Sequence, residues 1–307
     1  MSKLSIKSNV ENPNTILVTH MNCWDGTGCI VVFLSKYPDG GVLETGYGMA
    51  KIDEYINLLK GKDVIIADFS FPKADLLKLK EVTNSIIVID HHETAKEDLE
   101  DLEFCTFDMN KCGAHLLWES FYKGIEVPEW VKLVEVGDLY KTEDPMFDAW
   151  RGFRIPKHSN RLEALTELSK MDSKDVVEKV RTEGMHSFDT YMTLLKESVL
   201  HHTSIFTLEV ELENGTKCKI PAVYAPTVFS SDAGNELAKM SKHSVGATLS
   251  VRADKQSVVV SFRSVGDGLA SEFAKSLGGG GHKKAAGSMI SYDKAITMIR
   301  ANNDWKL

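Results

Sequence analysis

Short apolar runs punctuate the first half of the chain. Ile16-Leu17-Val18-Thr19 leads to His20, Val64-Ile65-Ile66-Ala67 to Asp68, and Ile86-Ile87-Val88-Ile89 to Asp90. Such runs, separated by amphipathic stretches such as residues 74–82, predict strands of a parallel sheet buried on both faces. Residues 29–34 predict the start of a buried helix after a glycine-containing turn. Repeated βα units imply an open, doubly wound α/β domain. Functional groups in such a domain sit just past the carboxyl ends of the strands, where His20, Asp68 and Asp90 fall.

The pattern changes after residue 160. Leu162, Leu165 and Leu168, then Tyr191, Leu194 and Leu195, recur at helical spacing, predicting helices that close the first domain and bridge to a second. Strand-like alternation follows over 206–212 and 217–223, with Asn214-Gly215 as a hairpin turn. A second pair, 247–251 and 257–262, flanks a turn at Asp254-Lys255 and precedes a glycine-rich segment. The domains expected are 1–185, a helical linker 186–204, and 205–307.

Composition narrows the class. With 307 residues, 43% hydrophobic and 26% charged, the chain is neither disordered, collagen-like nor a coiled coil, and its length favours two domains. The net charge of −8 is a poor match to coating long nucleic acid. From Val245 onward, however, nine Lys or Arg face five Asp or Glu, so a local +4 sits beside the glycine-rich segment. Five cysteines without a CxxC pair argue against disulfides or a cysteine-rich zinc site. No secretory leader or membrane span is evident, and a cytoplasmic protein with reduced thiols is expected.

The chemistry concentrates at strand ends. Asp90-His91-His92 follows an apolar run directly, and carboxylate and imidazole are usual ligands of divalent transition metals. Alone the tripeptide is weak, and Asp25 before Gly26 would serve equally well as a helix cap. Asp68, His20 and Asp25 at equivalent places make a shared metal site the better account. His115, in an apolar helical pattern, is expected to be a satisfied, partly buried histidine. His201-His202 lacks a neighbouring carboxylate and reads as an exposed helix end. Gly278 to Gly281 could bring backbone N–H groups close to a phosphate. His282, Lys283 and Arg263 could then add donors and charge.

These motifs together resemble the DHH phosphoesterase superfamily, in the branch with a DHH-associated C-terminal domain that includes RecJ-like exonucleases, nano-RNases and cyclic-dinucleotide phosphodiesterases. The resemblance rests on His20 through Asp25-Gly26, Asp68, Asp90-His91-His92, Asp138 in Val136-Gly137-Asp138, and Gly278-Gly279-Gly280-Gly281-His282 with Ala285-Ala286-Gly287. It implies a parallel-sheet N-terminal DHH domain, a smaller mixed-sheet α/β C-terminal domain, and an active site in the cleft between them. It also implies two divalent metal ions, most often Mn²⁺. Asp68 would bridge them, one ion taking His20 and a ligand from the following loop, the other Asp25, His91 and Asp138. His92 would face the substrate phosphate, Asp90 would orient the histidine pair, and Arg263, Gly280, Gly281 and His282 would bind substrate.

One departure stands out. The family's first motif usually carries an Asp where this chain offers Asn22 or Cys23, depending on the direction of counting. Cys23 is the ligand expected here, with Asn22 left open. The function expected is metal-dependent hydrolysis of short oligonucleotides to mononucleotides. The alternatives are a cyclic-dinucleotide phosphodiesterase and a non-catalytic nucleotide-binding protein. Long duplex nucleic acid and membranes are not expected partners, and a homodimer is left open.

Overall fold

The computed structural model describes residues 7–46, 52–266, 268–301 and 305. The chain divides into two compact units, Met1–Phe188 and Asp189–Leu307.

The first unit opens with β1 (Thr15–His20), α1 (Trp24–Lys36), β2 (Gly41–Thr45), α2 (Ile52–Leu59) and β3 (Asp63–Ala67). It continues through α3 (Lys73–Val82), β4 (Ser85–Asp90), α4 (Glu93–Leu99) and β5 (Cys105–Phe107). Helices α5 (Gly113–Phe121), α6 (Glu129–Asp138), α7 (Phe147–Arg154) and α8 (Arg161–Leu168) follow, and α9 (Ser173–Leu194) runs across the division at Phe188. The five strands pair in parallel in the order β2-β1-β3-β4-β5.

The unbroken apolar runs follow from burial on both faces. Leu17, Ile65, Ala67 and Ile89 pack into one core with Val32 and Phe33 of α1 and Leu117 of α5. Their neighbours Ile16, Val18, Val64, Ile66 and Val88 enter a second core with Tyr55, Leu59, Leu76 and Leu79 from α2 and α3. Each fully buried aliphatic side chain contributes roughly 1.5–3 kcal/mol, so a polar residue within these runs would be costly on either face.

The expected α/β class, with a parallel sheet and a separate mixed sheet, is what the structure has. One boundary differs. The helix expected from residue 29 begins at Trp24, because Cys23 rather than a Ser, Thr, Asp or Asn caps it. β2, α2 and β5 were not expected from the pattern. β2 is short and contains Glu44, and β5 has three residues and no fully buried position.

The second unit contains β6 (Phe206–Glu211), β7 (Lys217–Tyr224), α10 (Ser230–Met240), β8 (Val245–Arg252) and β9 (Ser257–Ser264). It ends with α11 (Ala270–Lys275), β10 (Gly280–Gly281), β11 (Ala285–Ser291), α12 (Tyr292–Met298) and β12 (Ile299–Arg300). Its sheet runs β10-β11-β9-β8-β7-β6-β12. β7 and β8 are parallel, and the other neighbours are antiparallel. Gly215, at φ 81°, closes the hairpin expected at Asn214-Gly215. Leu208, Ile220, Ala247, Val260, Phe262 and Phe273 belong to its core. Among the described residues, no helix is long and apolar enough to cross a membrane.

Candidate metal centre

Parallel register brings the strand-end residues abreast. Thr19 pairs with Ala67 and Ala67 with Ile89, so the next residues, His20, Asp68 and Asp90, form a rank at the carboxyl edge of β1, β3 and β4. The sheet order reverses between β1 and β3. In open α/β sheets this switch point is where connections leave in opposite directions and a crevice opens. Asp68 adopts φ 55° as the chain leaves β3, a left-handed conformation that Asp tolerates better than most residues.

The loop after His20 determines which residue faces Asp68. Asn22 takes φ 58°, and its Oδ1 accepts a hydrogen bond from Arg161 Nη2 at 3.3 Å. Cys23 comes next, in extended conformation at the N-cap of α1, where its Sγ accepts the Asp25 N–H at 3.2 Å. The same Sγ lies 3.5 Å from Asp68 Oδ2. One ligand atom from each of His20, Cys23 and Asp68 falls within a 4.8 Å cluster. Gly26 is required nearby, since a Cβ there would lie 2.1 Å from the His20 carbonyl oxygen.

A second triad lies beside the first. Asp25, His91 and Asp138 likewise offer ligand atoms within 4.8 Å of one another. His91 Nε2 is 3.2 Å from Asp68 Oδ1 and 3.5 Å from both Asp25 Oδ2 and Asp138 Oδ2. Asp25 is fully buried and fixed by the first turn of α5. Gly113 N donates to its Oδ2 at 2.6 Å and Ala114 N to its Oδ1 at 2.8 Å. A helix N-terminus holds a carboxylate well, because its first N–H groups have no intrahelical acceptor. Glu135 of α6 secures that turn: its carboxylate accepts from Cys112 N at 3.3 Å, is bonded to His115 and receives Lys141 Nζ at 2.7 Å.

The electrostatics of this cluster favour a cation. Burial pushes the Asp68 carboxyl well above its usual range, and Asp25, Asp138 and Asp90 push it further. Asp138 is raised to about 7, by burial and then by Asp25. Burial also drives the Cys23 thiol far upward, helped by Asp68, Asp25 and Asp138. His20 is lowered by burial and by His92. Carboxylates crowded this way around imidazoles repel one another unless positive charge lies among them. Oxygen and nitrogen donors from these residues fit divalent metal ions by ligand type.

His92 belongs to a separate chain of bonds. Its Nδ1 lies 2.7 Å from Asp90 Oδ1, which also accepts His91 N at 2.8 Å, while Asp90 Oδ2 accepts Ser70 Oγ at 2.6 Å. Burial alone would raise the Asp90 carboxyl, but the bonds from His92, Ser70 and the His91 amide outweigh it and leave it below its usual value. Asp90 thus joins both histidines. Ser70, Glu135, Lys141 and Arg161 were not singled out from the sequence. Ser70, Glu135 and Arg161 bond to Asp90, Cys112 and Asn22, each 20 or more positions away. Lys141 pairs with Glu135 six positions before it, and no local motif marks any of the four.

The remaining expected residues lie in the second unit. Arg263 is opposite Ala285 in the β9–β11 ladder, with Nη2 on Ser231 Oγ at 3.0 Å and Nη1 on the Phe262 carbonyl at 2.9 Å. Gly280 and Gly281 form β10, opposite Gly287 and Ala286. Gly281, at φ 137°, could not carry a Cβ without approaching Ala286 Cα to 2.7 Å, whereas a Cβ on Gly280 would meet open space. His282 is exposed and closes a tight turn, its N–H donating to the Ala285 carbonyl at 2.9 Å. His115 is bonded to Glu135 and half-buried, and His201 and His202 are exposed after the helical region, as expected for both.

Comparison with known proteins supports the fold. An uncharacterized protein of Acanthamoeba polyphaga mimivirus is 26% identical over 303 residues, covering 90% of this chain and 67% of that protein. The Mn²⁺ complex of RecJ from Thermus thermophilus matches with a TM-score of 0.51 at 15% identity, over 94% of this chain and 51% of that one. The pGpG-specific phosphodiesterase PggH from Vibrio cholerae matches with a TM-score of 0.50 at 17% identity, over 92% and 95% of the two chains. No protein-family profile matches the chain.

Proposed function

We propose that this chain, whose fold is that of the DHH phosphoesterases, is a metal-dependent phosphodiesterase that hydrolyses short oligonucleotides to mononucleotides. The observation that carries this reading is the adjacency of two ligand triads, His20–Cys23–Asp68 and Asp25–His91–Asp138, joined by the 3.2 Å approach of Asp68 to His91. These residues would hold two divalent cations, with Asp68 shared between them and Mn²⁺ the natural occupant of the carboxylate-rich triad. Such a pair, when bound, polarises a phosphoryl oxygen and makes a bound water acidic enough to attack.

The protein's own groups supply the rest. Asp25 is immobilised by two backbone N–H groups, so its carboxylate need not reorganise when a cation arrives. Asp90 holds His92 through Nδ1, and the other ring nitrogen, Nε2, would face the substrate phosphate. In the second unit, Arg263, Gly280, Gly281 and His282 would hold the terminal phosphate or base of the substrate. The local +4 beside them, in a chain of net charge −8, suits a short substrate rather than a long strand. The likeness to a pGpG-specific enzyme supports the same length. Five free cysteines suit a reducing, cytoplasmic compartment.

The test is to incubate purified protein with Mn²⁺ and RNA and DNA oligomers of two to five nucleotides, with cyclic dinucleotides in parallel. Mononucleotide release that disappears in His91→Ala is the expected result. Turnover of the cyclic compounds alone would reassign the substrate, and tight binding without turnover under each of several divalent metals would refute the enzyme.

A further inference from the structure

Position 23 is the one place in the two triads where sulfur stands among oxygen and nitrogen donors. The thiol is aimed at the site by the fold. Cys23 is the residue at which the chain turns from the His20 loop into α1, and its Sγ is held between the Asp25 amide at 3.2 Å and Asp68 Oδ2 at 3.5 Å. Asn22, the competing donor, is engaged by Arg161 through the oxygen it would have offered. The two triads therefore differ in kind. Asp25–His91–Asp138 offers two carboxylates and one imidazole, whereas His20–Cys23–Asp68 offers imidazole, sulfur and one carboxylate.

Ligand softness separates these sets. Carboxylate oxygens suit Mn²⁺ and Mg²⁺, whereas sulfur selects softer ions such as Zn²⁺, Fe²⁺ and Co²⁺. Sulfur in place of a carboxylate also removes one oxygen donor that could bind in bidentate fashion. From these features we infer that the two metal positions are chemically unequal: the position at His20, Cys23 and Asp68 selects a soft divalent cation bound through Cys23 Sγ, and the position at Asp25, His91 and Asp138 takes a hard one. The inference rests on the proposed metal centre and adds the class of ion at each half of it.

The local fold makes a clean test available. Ser and Asp are both favoured N-caps, so Cys23→Ser and Cys23→Asp retain the start of α1 while removing sulfur. The full-length chain, stripped of metal by chelation, is titrated with Co²⁺ without oxygen and followed by absorption. Two signals are read: visible d–d bands, which report bound Co²⁺ of any ligation, and a near-ultraviolet charge-transfer band, which reports sulfur on cobalt. The wild type should show both, with the charge-transfer band saturating at one equivalent. Cys23→Ser should keep d–d absorption and lose the charge-transfer band.

Competition gives a second, independent reading. Equilibrated with Zn²⁺ and Mn²⁺ together, the wild type should retain one of each by elemental analysis. Cys23→Asp should shift the Zn²⁺-to-Mn²⁺ preference toward Mn²⁺ by about tenfold or more. Bound Co²⁺ without a charge-transfer band, or a band that survives in Cys23→Ser, would overturn the inference and leave the metal centre standing. Absence of any cobalt binding would overturn both.

Discussion

The Asp25 carboxylate lies 2.6 Å from the amide nitrogen of Gly113, a residue 88 positions away in the chain. A proposed metal ligand on α1 is therefore placed by the backbone of α5. Two consequences follow for Gly113: it must donate its N–H, and it must carry no side chain.

A Cβ on Gly113 would sit 2.7 Å from Asp68 Cβ and 3.0 Å from Asp25 Oδ2. Gly→Ala within a helix ordinarily stabilises by about 0.5–1 kcal/mol. Here Gly113→Ala is expected to destabilise by about 1–3 kcal/mol through overpacking, and to weaken divalent-cation binding as well. Urea denaturation and calorimetric Mn²⁺ titration measure the two effects. Unaltered cation affinity would show that α5 does not set the position of Asp25.

Asp68→Asn keeps a side chain that tolerates φ 55° and removes the charge. Cation affinity should fall by at least the roughly 10–100-fold that loss of an outer partner costs. Metal-free stability should move the other way. The Asp68 carboxyl is pushed upward by burial and by Asp25, so holding it ionised at neutral pH opposes folding, and a neutral amide relieves that. Thermal melts of the chelated proteins at pH 7 should place the variant above the wild type.

Glu135 gives a pH dependence of defined sign. Burial would raise its carboxyl, but the bonds from His115 and Lys141 prevail and hold it at about 2, below the free glutamate value of about 4.3. Its stabilising contribution is therefore complete above that free value and is lost as pH falls through about 2. Glu135→Gln should destabilise by about 1–3 kcal/mol at neutral pH, and the gap to wild type should close on acidification. A gap independent of pH would remove charge from the account.

Asp90→Asn should lower kcat by about 10–100-fold while leaving cation stoichiometry intact, because Asp90 acts through His92 and the His91 amide. A shifted pH–rate profile would distinguish loss of His92 orientation from simple unfolding.

In the second unit, His282→Ala should raise KM for short oligonucleotides by about tenfold, the loss of one hydrogen bond to a charged group, with kcat and metal binding unchanged. Loss of kcat with constant KM would place His282 in the chemistry instead.

The residues that announced themselves in the sequence are those whose signal is local. β1, β3 and β4 are apolar runs ending at His20, Asp68 and Asp90, and period and chemistry coincide there. The start of α1 was hidden because Cys23 is an unusual cap and Gly26 and Gly28 occupy its early positions. Asn22 and Cys23 could not be separated by counting, since the orientation of each is set by a left-handed residue and by Arg161, which lies 139 positions away. The anchoring of Asp25 by Gly113 and Ala114 uses main-chain N–H groups, which every sequence possesses. Glu135 resembles any solvated charge on a helix until His115 of α5 packs against α6.

The ligand rank also has a consequence for the folding reaction. Its donors come from the end of β1, the first turn of α1, the ends of β3 and β4, and the end of α6, and parallel strands pair only after each intervening crossover has formed. Among the described residues, no hairpin or single βα unit contains either triad whole. A cation would therefore gain its full coordination only from the completed first unit, so metal affinity and cooperative folding of that unit become linked quantities. Added late in refolding, the ion would act as a thermodynamic lock on the native register, with no purchase on partly assembled forms.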